Sequence, residues 1–205
     1  MSNSTRTIVI LGASYAKGWG EPILPGFART VNRGVGGEET ADMLKRFDKD
    51  VVAARPDAVL IWGHVNDITR SSPDALEAKK AASRRHYLEM FSRAGSANIQ
   101  VILATEIPWT EQTGMLNTVR AWIGQLRGKQ GYAERVSGHV HELNGFLKEQ
   151  AAKERLVLLD FEREFANEAG TRRSEFAAAD GSHISPAGYA ALTAYSQREL
   201  GRHVR

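Results

Sequence analysis

A serine, an aspartate and a histidine occupy positions from which they could carry out nucleophilic acyl transfer. Ser14 follows a short apolar run and the small residues Gly12-Ala13. Asp180 and His183 are three residues apart across a Gly-Ser turn, so the carboxylate can bind one ring nitrogen while the other faces outward. Acyl transfer of this kind needs a serine, an imidazole that takes its proton and a carboxylate that orients the imidazole. These three residues are therefore the candidate catalytic set.

Two further turns supply candidate donors for an oxyanion. Backbone amides near Gly34 lie in the glycine-rich turn 32–37, where the missing Cβ leaves room for close approach, and the side-chain amide of Asn66 lies in the turn 63–67. Preorganised donors stabilise the charge that develops on a carbonyl oxygen, each by about 2.7–4 kcal/mol in related acyl chemistry. Gly34 and Asn66 are therefore the candidate oxyanion-hole residues.

Short apolar runs alternate with helical patterns along the chain. Each run is almost continuously apolar, as strands buried on both faces of a parallel sheet are, which predicts strands at residues 7–11, 28–32, 58–62, 99–105 and 156–160. The alternation predicts a flavodoxin-like three-layer α/β/α sandwich around a central parallel sheet of about five strands. Right-handed crossovers then bring the carboxyl ends of the strands, with the candidate residues, to one edge of the sheet.

The helical segments are predicted from apolar spacing and from start and stop residues. Apolar residues recur every four positions over residues 43–51, and a second helix opens at Ser72-Pro73 and stops near Gly95. The last helix opens at Ser185-Pro186 and fixes the Asp180–His183 turn from its far side. The segment 107–153 is long for one crossover, which predicts two helices there.

The composition is that of one globular domain over residues 1–205. Of the 205 residues, 42% are hydrophobic and 25% are charged, with a net charge of +3, which argues against disorder. Cysteine is absent, which excludes disulfides, thiolate nucleophiles and cysteine-ligated metals. No apolar stretch approaches the ~20 residues of a membrane helix, and no signal-peptide pattern is present. We expect a cytoplasmic protein, unless a signal peptide has already been removed.

Neither a nucleic acid nor a metal ion is indicated as a partner. The densest basic groups, Arg84-Arg85, Arg172-Arg173 and residues 201–205, lack interleaved aromatic residues, and we interpret them as solvated charges. His139 and His141 are two residues apart, which places them on different sides of a helix and argues against a metal pair.

Four motifs together resemble those of the SGNH or GDSL-type ester hydrolases, in family order and over almost the whole chain. They are Gly12-Ala13-Ser14, Asn32-Arg33-Gly34, Asn66-Asp67 and the block 180–189, which is the most specific of them. The resemblance implies that Ser14 is the nucleophile, His183 the general base and Asp180 its orienting partner. It also implies an oxyanion hole formed by the backbone amides of Ser14 and Gly34 with the Asn66 side chain. The family fold is a flavodoxin-like α/β/α sandwich, and no cofactor or metal is implied.

Two positions depart from the family pattern. Ala13 precedes the serine where the family usually has aspartate, a position outside the reacting set. The third block reads Gly63-His64-Val65-Asn66, one residue longer than the usual Gly-x-Asn-Asp. Either Gly63 has shifted or His64 replaces the glycine. His64 is therefore a candidate substrate-binding residue, and a buried structural histidine is the alternative interpretation.

The predicted fourth strand leads into a segment that could determine substrate choice. Trp109 follows Glu106-Ile107-Pro108 at the edge that contains the site, and it is a candidate for lining an acyl or alcohol pocket. The series Met115, Val119, Trp122 and Leu126 has helical spacing. Such a stripe favours packing of the helix on the sheet. The alternatives are that the helix covers the pocket or that it forms a subunit interface, which would make the protein a homo-oligomer.

The sequence therefore predicts a carboxylic ester hydrolase that works through an acyl-enzyme on small acyl or acetyl esters, with a small-molecule ester as its partner. Two alternatives remain open. The same serine site could pass the acyl group to a sugar or alcohol, as an acyltransferase does. A non-catalytic domain could instead bind a small molecule near the glycine-rich turn, although neither common nucleotide-binding spacing of glycines is met.

Overall fold

The computed structural model describes residues 5–110 and 131–203. Five parallel strands form one sheet in the order β2-β1-β3-β4-β5. They are β1 Thr7–Gly12, β2 Arg29–Gly34, β3 Ala58–Trp62, β4 Gln100–Ala104 and β5 Val157–Leu159. The central strands β1 and β3 are almost wholly buried because both of their faces are covered. The predicted α/β fold with a five-stranded parallel sheet is confirmed.

The strand register aligns the ends from which the candidate residues follow. Gly12 lies opposite Gly34 on one side and opposite Trp62 on the other. The turns after β1, β2 and β3 therefore leave the sheet at the same level and at the same edge.

Helices connect the strands and cover both faces of the sheet. In chain order they are α1 Ser14–Trp19, α2 Thr40–Lys45, α3 Phe47–Asp50, α4 Val65–Thr69, α5 Leu76–Ser96, α6 Tyr132–Glu154, α7 Phe161–Phe165 and α8 Pro186–Gly201. Among the described helices, none is both long and apolar enough to cross a membrane.

One helix prediction differs from the structure, and another is tested only in part. The single helix expected over 43–51 is split into α2 and α3, because Arg46 between them has a ψ of 2° that ends the α-helical geometry. The guanidinium of Arg46 binds Glu38, Asp50 and the carbonyl of Gly12 in this position. Of the two helices expected over 107–153, the described part contains α6. Residues 111–130, with the stripe from Met115 to Leu126, lie outside the described residues.

Successive residues of each buried strand point to opposite faces, and each face has its own core. On one face Ile10 contacts a cluster that includes Trp19 of α1 and Leu192 of α8. On the other face Leu11 belongs to a cluster that includes Tyr87 of α5 and residues of α2 and α3. Residues of α6 contribute to both clusters. The result is three layers, with the candidate residues along the carboxyl edge of the middle one.

Candidate active site

Ser14 is the first residue of α1, one short turn after the buried strand β1. Gly12 permits this turn, since a Cβ there would lie 2.2 Å from the Trp62 carbonyl oxygen and 2.6 Å from the Ala16 Cβ. Tyr15, Ala16 and Trp19 face the core, which leaves Ser14 partly exposed at the sheet edge. The N–H of Ser14 has no acceptor within the helix because it lies in the first turn.

Asp180 and His183 form a hydrogen-bonded pair. His183 Nδ1 lies 2.6 Å from one carboxylate oxygen of Asp180, and the other oxygen accepts the backbone N–H groups of His183 and Ser182, both at 2.9 Å. These hydrogen bonds, led by that of the His183 backbone, hold the pKa of Asp180 well below its usual range. An ionised carboxylate only accepts hydrogen bonds, so Nδ1 carries the proton and Nε2 is left as the base.

The start of α8 holds the Asp180–His183 turn from its far side, as the sequence predicts. The Ser185 hydroxyl accepts the Gly188 N–H at 3.1 Å as the helix N-cap and donates to the Glu175 carbonyl at 2.7 Å. The two sides of the turn are therefore tied to regular structure.

The His183 ring lies edge-on to the ring of Tyr15, the residue after Ser14, with 6.4 Å between ring centroids. The Tyr15 hydroxyl also donates to the Ser182 carbonyl at 2.8 Å. The His183 turn therefore contacts α1 at the residue that follows Ser14. Within the described residues no hydrogen bond joins Ser14 Oγ to His183, so the catalytic pairing of these two side chains stays a prediction.

Asn66 lies in α4, directly after β3, and its amide is oriented by the chain. Its Nδ2 donates to the Glu38 carbonyl at 2.8 Å, which uses one of its two amide hydrogens and leaves the other available. The next residue, Asp67, is fully buried and accepts both the backbone N–H of Thr40 at 3.0 Å and its hydroxyl at 2.6 Å. Burial raises the pKa of Asp67. These bonds fix α4 against the turn that follows β2.

The backbone amide of Gly34, a predicted oxyanion donor, is hydrogen-bonded within its own turn. Its N–H donates to the side-chain carbonyl of Asn32 at 2.7 Å, and a Cβ at this position would lie 2.1 Å from the backbone nitrogen of Lys17 in α1. The glycine is needed for close packing of β2 on α1. Gly37, in the same turn, has a φ of +81° and its N–H has no hydrogen-bond partner among the described residues. It directly precedes Glu38, whose carbonyl holds Asn66.

His64 is a buried residue with a hydrogen-bonded ring. It is 2% exposed, and its Nδ1 lies 3.2 Å from the Tyr87 hydroxyl. Burial lowers the pKa of His64 to about 3, and the backbone carbonyl of Val140 opposes this effect in part. The structure therefore favours the alternative interpretation of a structural histidine. Gly63 has a φ of +145°, a backbone conformation that favours glycine at this position.

Trp109 is partly buried and packs against the core that includes Ile107. Its backbone N–H donates to the Ser137 hydroxyl at 3.0 Å, and its carbonyl accepts the Arg172 N–H at 3.0 Å. The residue follows β4 at the predicted edge, and residues 111–130 lie outside the described part. Its role as a pocket residue stays a prediction.

Residues 10–191 match the family model of the GDSL-like Lipase/Acylhydrolase family. The chain belongs to this family. It is an SGNH-type ester hydrolase, as its motifs predict. A search of the curated proteins finds no match.

Solved structures share the fold of this GDSL-like hydrolase. A lipase/acylhydrolase from Enterococcus faecalis is 26% identical, with a TM-score of 0.65 and coverage of 96% of both chains. A GDSL-like lipase from Bacteroides thetaiotaomicron is 16% identical, with a TM-score of 0.73 over 99% of this chain and 91% of that one. An acetylxylan esterase from Geobacillus stearothermophilus is 19% identical, with a TM-score of 0.68 over 97% and 95%.

The sequence does not predict the burial of two charged residues of this hydrolase. Arg172 was interpreted as a solvated charge, which is wrong, since it is 2% exposed and contacts Tyr15 and the His183 turn. Glu106 is 1% exposed and accepts the N–H groups of His64 and Val65 at the start of α4. Burial raises the pKa of Glu106. No local pattern distinguishes either residue from a surface charge, because partners that bury them, Tyr15 for Arg172 and His64 for Glu106, are distant in sequence.

One cluster of the hydrolase has the composition of a metal site but already contains a cation. Glu77, His139 and Glu142 place ligand atoms within 4.8 Å of one another. The ammonium of Lys80 lies among them, bound to both carboxylates. His141 points elsewhere, to Glu162 at 2.9 Å, so the two histidines lie on different sides of α6 as predicted.

Proposed function

We propose that this hydrolase cleaves small acyl or acetyl esters through an acyl-enzyme on Ser14. The observation that carries the proposal is the Asp180–His183 pair, oriented at 2.6 Å and packed against Tyr15, the neighbour of Ser14. Such a pair supplies a general base next to a serine, which is the arrangement that nucleophilic acyl transfer requires.

In the proposed reaction Ser14 Oγ attacks the carbonyl carbon of the ester while His183 Nε2 accepts the hydroxyl proton. The carbonyl π electrons move onto oxygen. The tetrahedral intermediate then collapses, the carbon–oxygen bond to the alcohol breaks, and the alcohol leaves with the proton from His183. Water attacks the acyl carbon, gives a proton to His183, and the carboxylic acid leaves as that proton returns to Ser14.

We assign the oxyanion donors to the N–H of Ser14, the free amide hydrogen of Asn66 and the N–H of Gly37. Gly37 replaces the predicted Gly34 in this assignment, because the N–H of Gly34 is bound to Asn32 while that of Gly37 is without a partner among the described residues. The Glu38 carbonyl, next to Gly37, holds the Asn66 amide in place.

The preference for small acyl groups is supported by the solved relatives. The esterase of Geobacillus stearothermophilus is described as acting on acetylxylan, and it has also been solved as a catalytic mutant in which a serine is replaced by alanine. The side chains of Asp180 and His183 are about half exposed, 52% and 51%, so the site is open to solvent and water can reach the acyl carbon.

Hydrolysis of p-nitrophenyl acetate by Ser14→Ala tests the proposal. We expect loss of activity by a factor of about 10³ or more, and loss of labelling by an organophosphonate. Ser72→Ala, at an exposed serine before α5 that makes no capping hydrogen bond, is the matched control and should retain both. A Ser14→Ala protein that hydrolyses the ester as fast as the parent would rule out the mechanism.

A further inference from the structure

Arg172 is a buried guanidinium that is bound by neutral oxygens. Its Nε donates to the Pro108 carbonyl at 3.0 Å, Nη1 to the His183 carbonyl at 2.8 Å, and Nη2 to the Tyr15 hydroxyl at 2.6 Å. Both Nη groups also approach the Ser182 carbonyl, at 3.3 and 3.4 Å. Within the described residues no carboxylate forms a salt bridge with it. A buried cation of this kind is costly unless its hydrogen bonds are satisfied, and here carbonyls and a phenol satisfy them.

These contacts join the two halves of the proposed catalytic set. Tyr15 follows Ser14 in α1, while the Ser182 and His183 carbonyls belong to the turn that carries the base. Tyr15 closes the connection, since its hydroxyl donates to the Ser182 carbonyl at 2.8 Å and the Arg172 guanidinium lies 5.2 Å from its ring centroid. Burial raises the pKa of Tyr15, so its hydroxyl keeps the proton that it donates.

The guanidinium is suited to this role by its shape. It presents five N–H donors in a rigid plane, so contacts to three separate segments fix their relative positions, which an apolar residue or the single ammonium of a lysine does not do. Packing alone would not require a charge at this position. The Arg172 contacts therefore constrain the distance between Ser14 and His183. A buried apolar side chain at this position would not do so.

We propose that Arg172 and Tyr15 are positioning residues that hold His183 at reacting distance from Ser14; this Arg172–Tyr15 clamp rests on the proposed function. Neither side chain touches the reacting atoms. The clamp ties the backbone of the histidine turn to the helix of the serine, while Asp180 sets the orientation of the imidazole ring. Its loss displaces the base without removing any group that reacts.

Steady-state kinetics on p-nitrophenyl acetate with Arg172→Ala and Tyr15→Phe test the clamp. We expect kcat to fall about 100-fold for Arg172→Ala and about tenfold for Tyr15→Phe, with KM changed by less than about threefold, because misplacement of a catalytic group by about 1 Å affects the chemical step. Added guanidinium ion should restore part of the kcat of Arg172→Ala. Arg173→Ala and Tyr195→Phe are matched controls, since Arg173 stacks on Phe176 and the Tyr195 hydroxyl accepts the Asp160 N–H, both away from His183.

The outcomes separate the clamp from the function on which it rests. If the parent neither hydrolyses esters nor is labelled at Ser14, the proposed function and the clamp are both overturned. If the parent is active and folded Arg172→Ala retains its kcat within twofold, the clamp alone is overturned. Should Arg172→Ala fail to fold, Tyr15→Phe decides: parental kcat overturns the clamp, and a tenfold fall at unchanged KM supports it. The clamp is also overturned if guanidinium ion does not restore the kcat that Arg172→Ala loses and Tyr15→Phe has the parental kcat.

Discussion

Replacement of Gly34 by alanine would push the helix that carries Ser14 away from the sheet. A Cβ at this position would lie 2.1 Å from the nitrogen of Lys17, 2.6 Å from its Cα and 2.7 Å from the carbonyl carbon of Ala16. All three atoms belong to the backbone of α1, so no side-chain rotation relieves the overlap. The helix and β2 must separate by about 1.3 Å to take the shortest of these contacts from 2.1 Å to the 3.4 Å of ordinary van der Waals contact.

The expected cost follows from this displacement. Overpacking of a filled site destabilises a protein by about 1–3 kcal/mol, and for a chain of this size that lowers the Tm by roughly 2–12 °C. A shift of about 1 Å in the nucleophile reduces the catalytic rate by a factor of about 100. Gly34→Ala should therefore lose much more activity at 25 °C than its remaining folded fraction explains.

Thermal unfolding and esterase kinetics of Gly34→Ala and Gly36→Ala measure both effects. Gly36 lies two residues away in the same exposed turn, has no atom within 4 Å of its virtual Cβ and does not have a positive φ, so its alanine variant should match the parent. A Gly34→Ala protein with parental Tm and parental kcat would refute the close packing of β2 on α1. Equal losses in both variants would assign the effect to the turn rather than to the contact with α1.

Two other substitutions address buried groups around Asn66. Burial raises the pKa of Glu106 above its ordinary value of 4.5, so its folded form binds a proton more readily than its unfolded form. The free energy of unfolding of the parent should therefore fall relative to Glu106→Gln as the pH rises from about 4 through the raised pKa, as measured by urea denaturation. His64→Phe removes the hydrogen bond to Tyr87 and should cost about 1–2 kcal/mol of stability, with KM and kcat within about threefold of the parent.

A specific result would contradict each of these two predictions. A difference in stability between the parent and Glu106→Gln that stays constant with pH would show that the carboxyl group titrates normally. A large rise in KM for His64→Phe at parental stability would return His64 to the substrate pocket.

Much of the fold can be predicted from short stretches of sequence, because buried strands, helix starts and tight turns depend on residues that are close in the chain. The continuous apolar runs give all five strands within a few residues, since strands buried on both faces need apolar side chains on both. Ser185-Pro186 predicts the start of α8 because an N-cap and a proline at the first helical position act locally. The Asp180–His183 hydrogen bond follows from a spacing of three residues for the same reason.

The remaining features depend on contacts between distant segments. Gly34 looks like an open turn residue, yet it packs on α1 and its amide is bound to Asn32. Arg172 looks like a surface charge, and two of its partners, Pro108 and Tyr15, lie 64 and 157 residues away. The short helix α1 has six residues, too few for an apolar period to predict it. Hydrophobic pattern and turn chemistry contain no signal for such contacts.

Rapid acid quench during turnover of p-nitrophenyl acetate, followed by peptide mapping by mass spectrometry, tests most directly whether Ser14 carries the acyl group. We expect one acetyl group per chain, located on the peptide that contains Ser14, at a level that rises when deacylation is slowed by Asp180→Asn. An acetyl group on another residue, or turnover at the parental rate with no acylated peptide, would contradict an acyl-enzyme at Ser14.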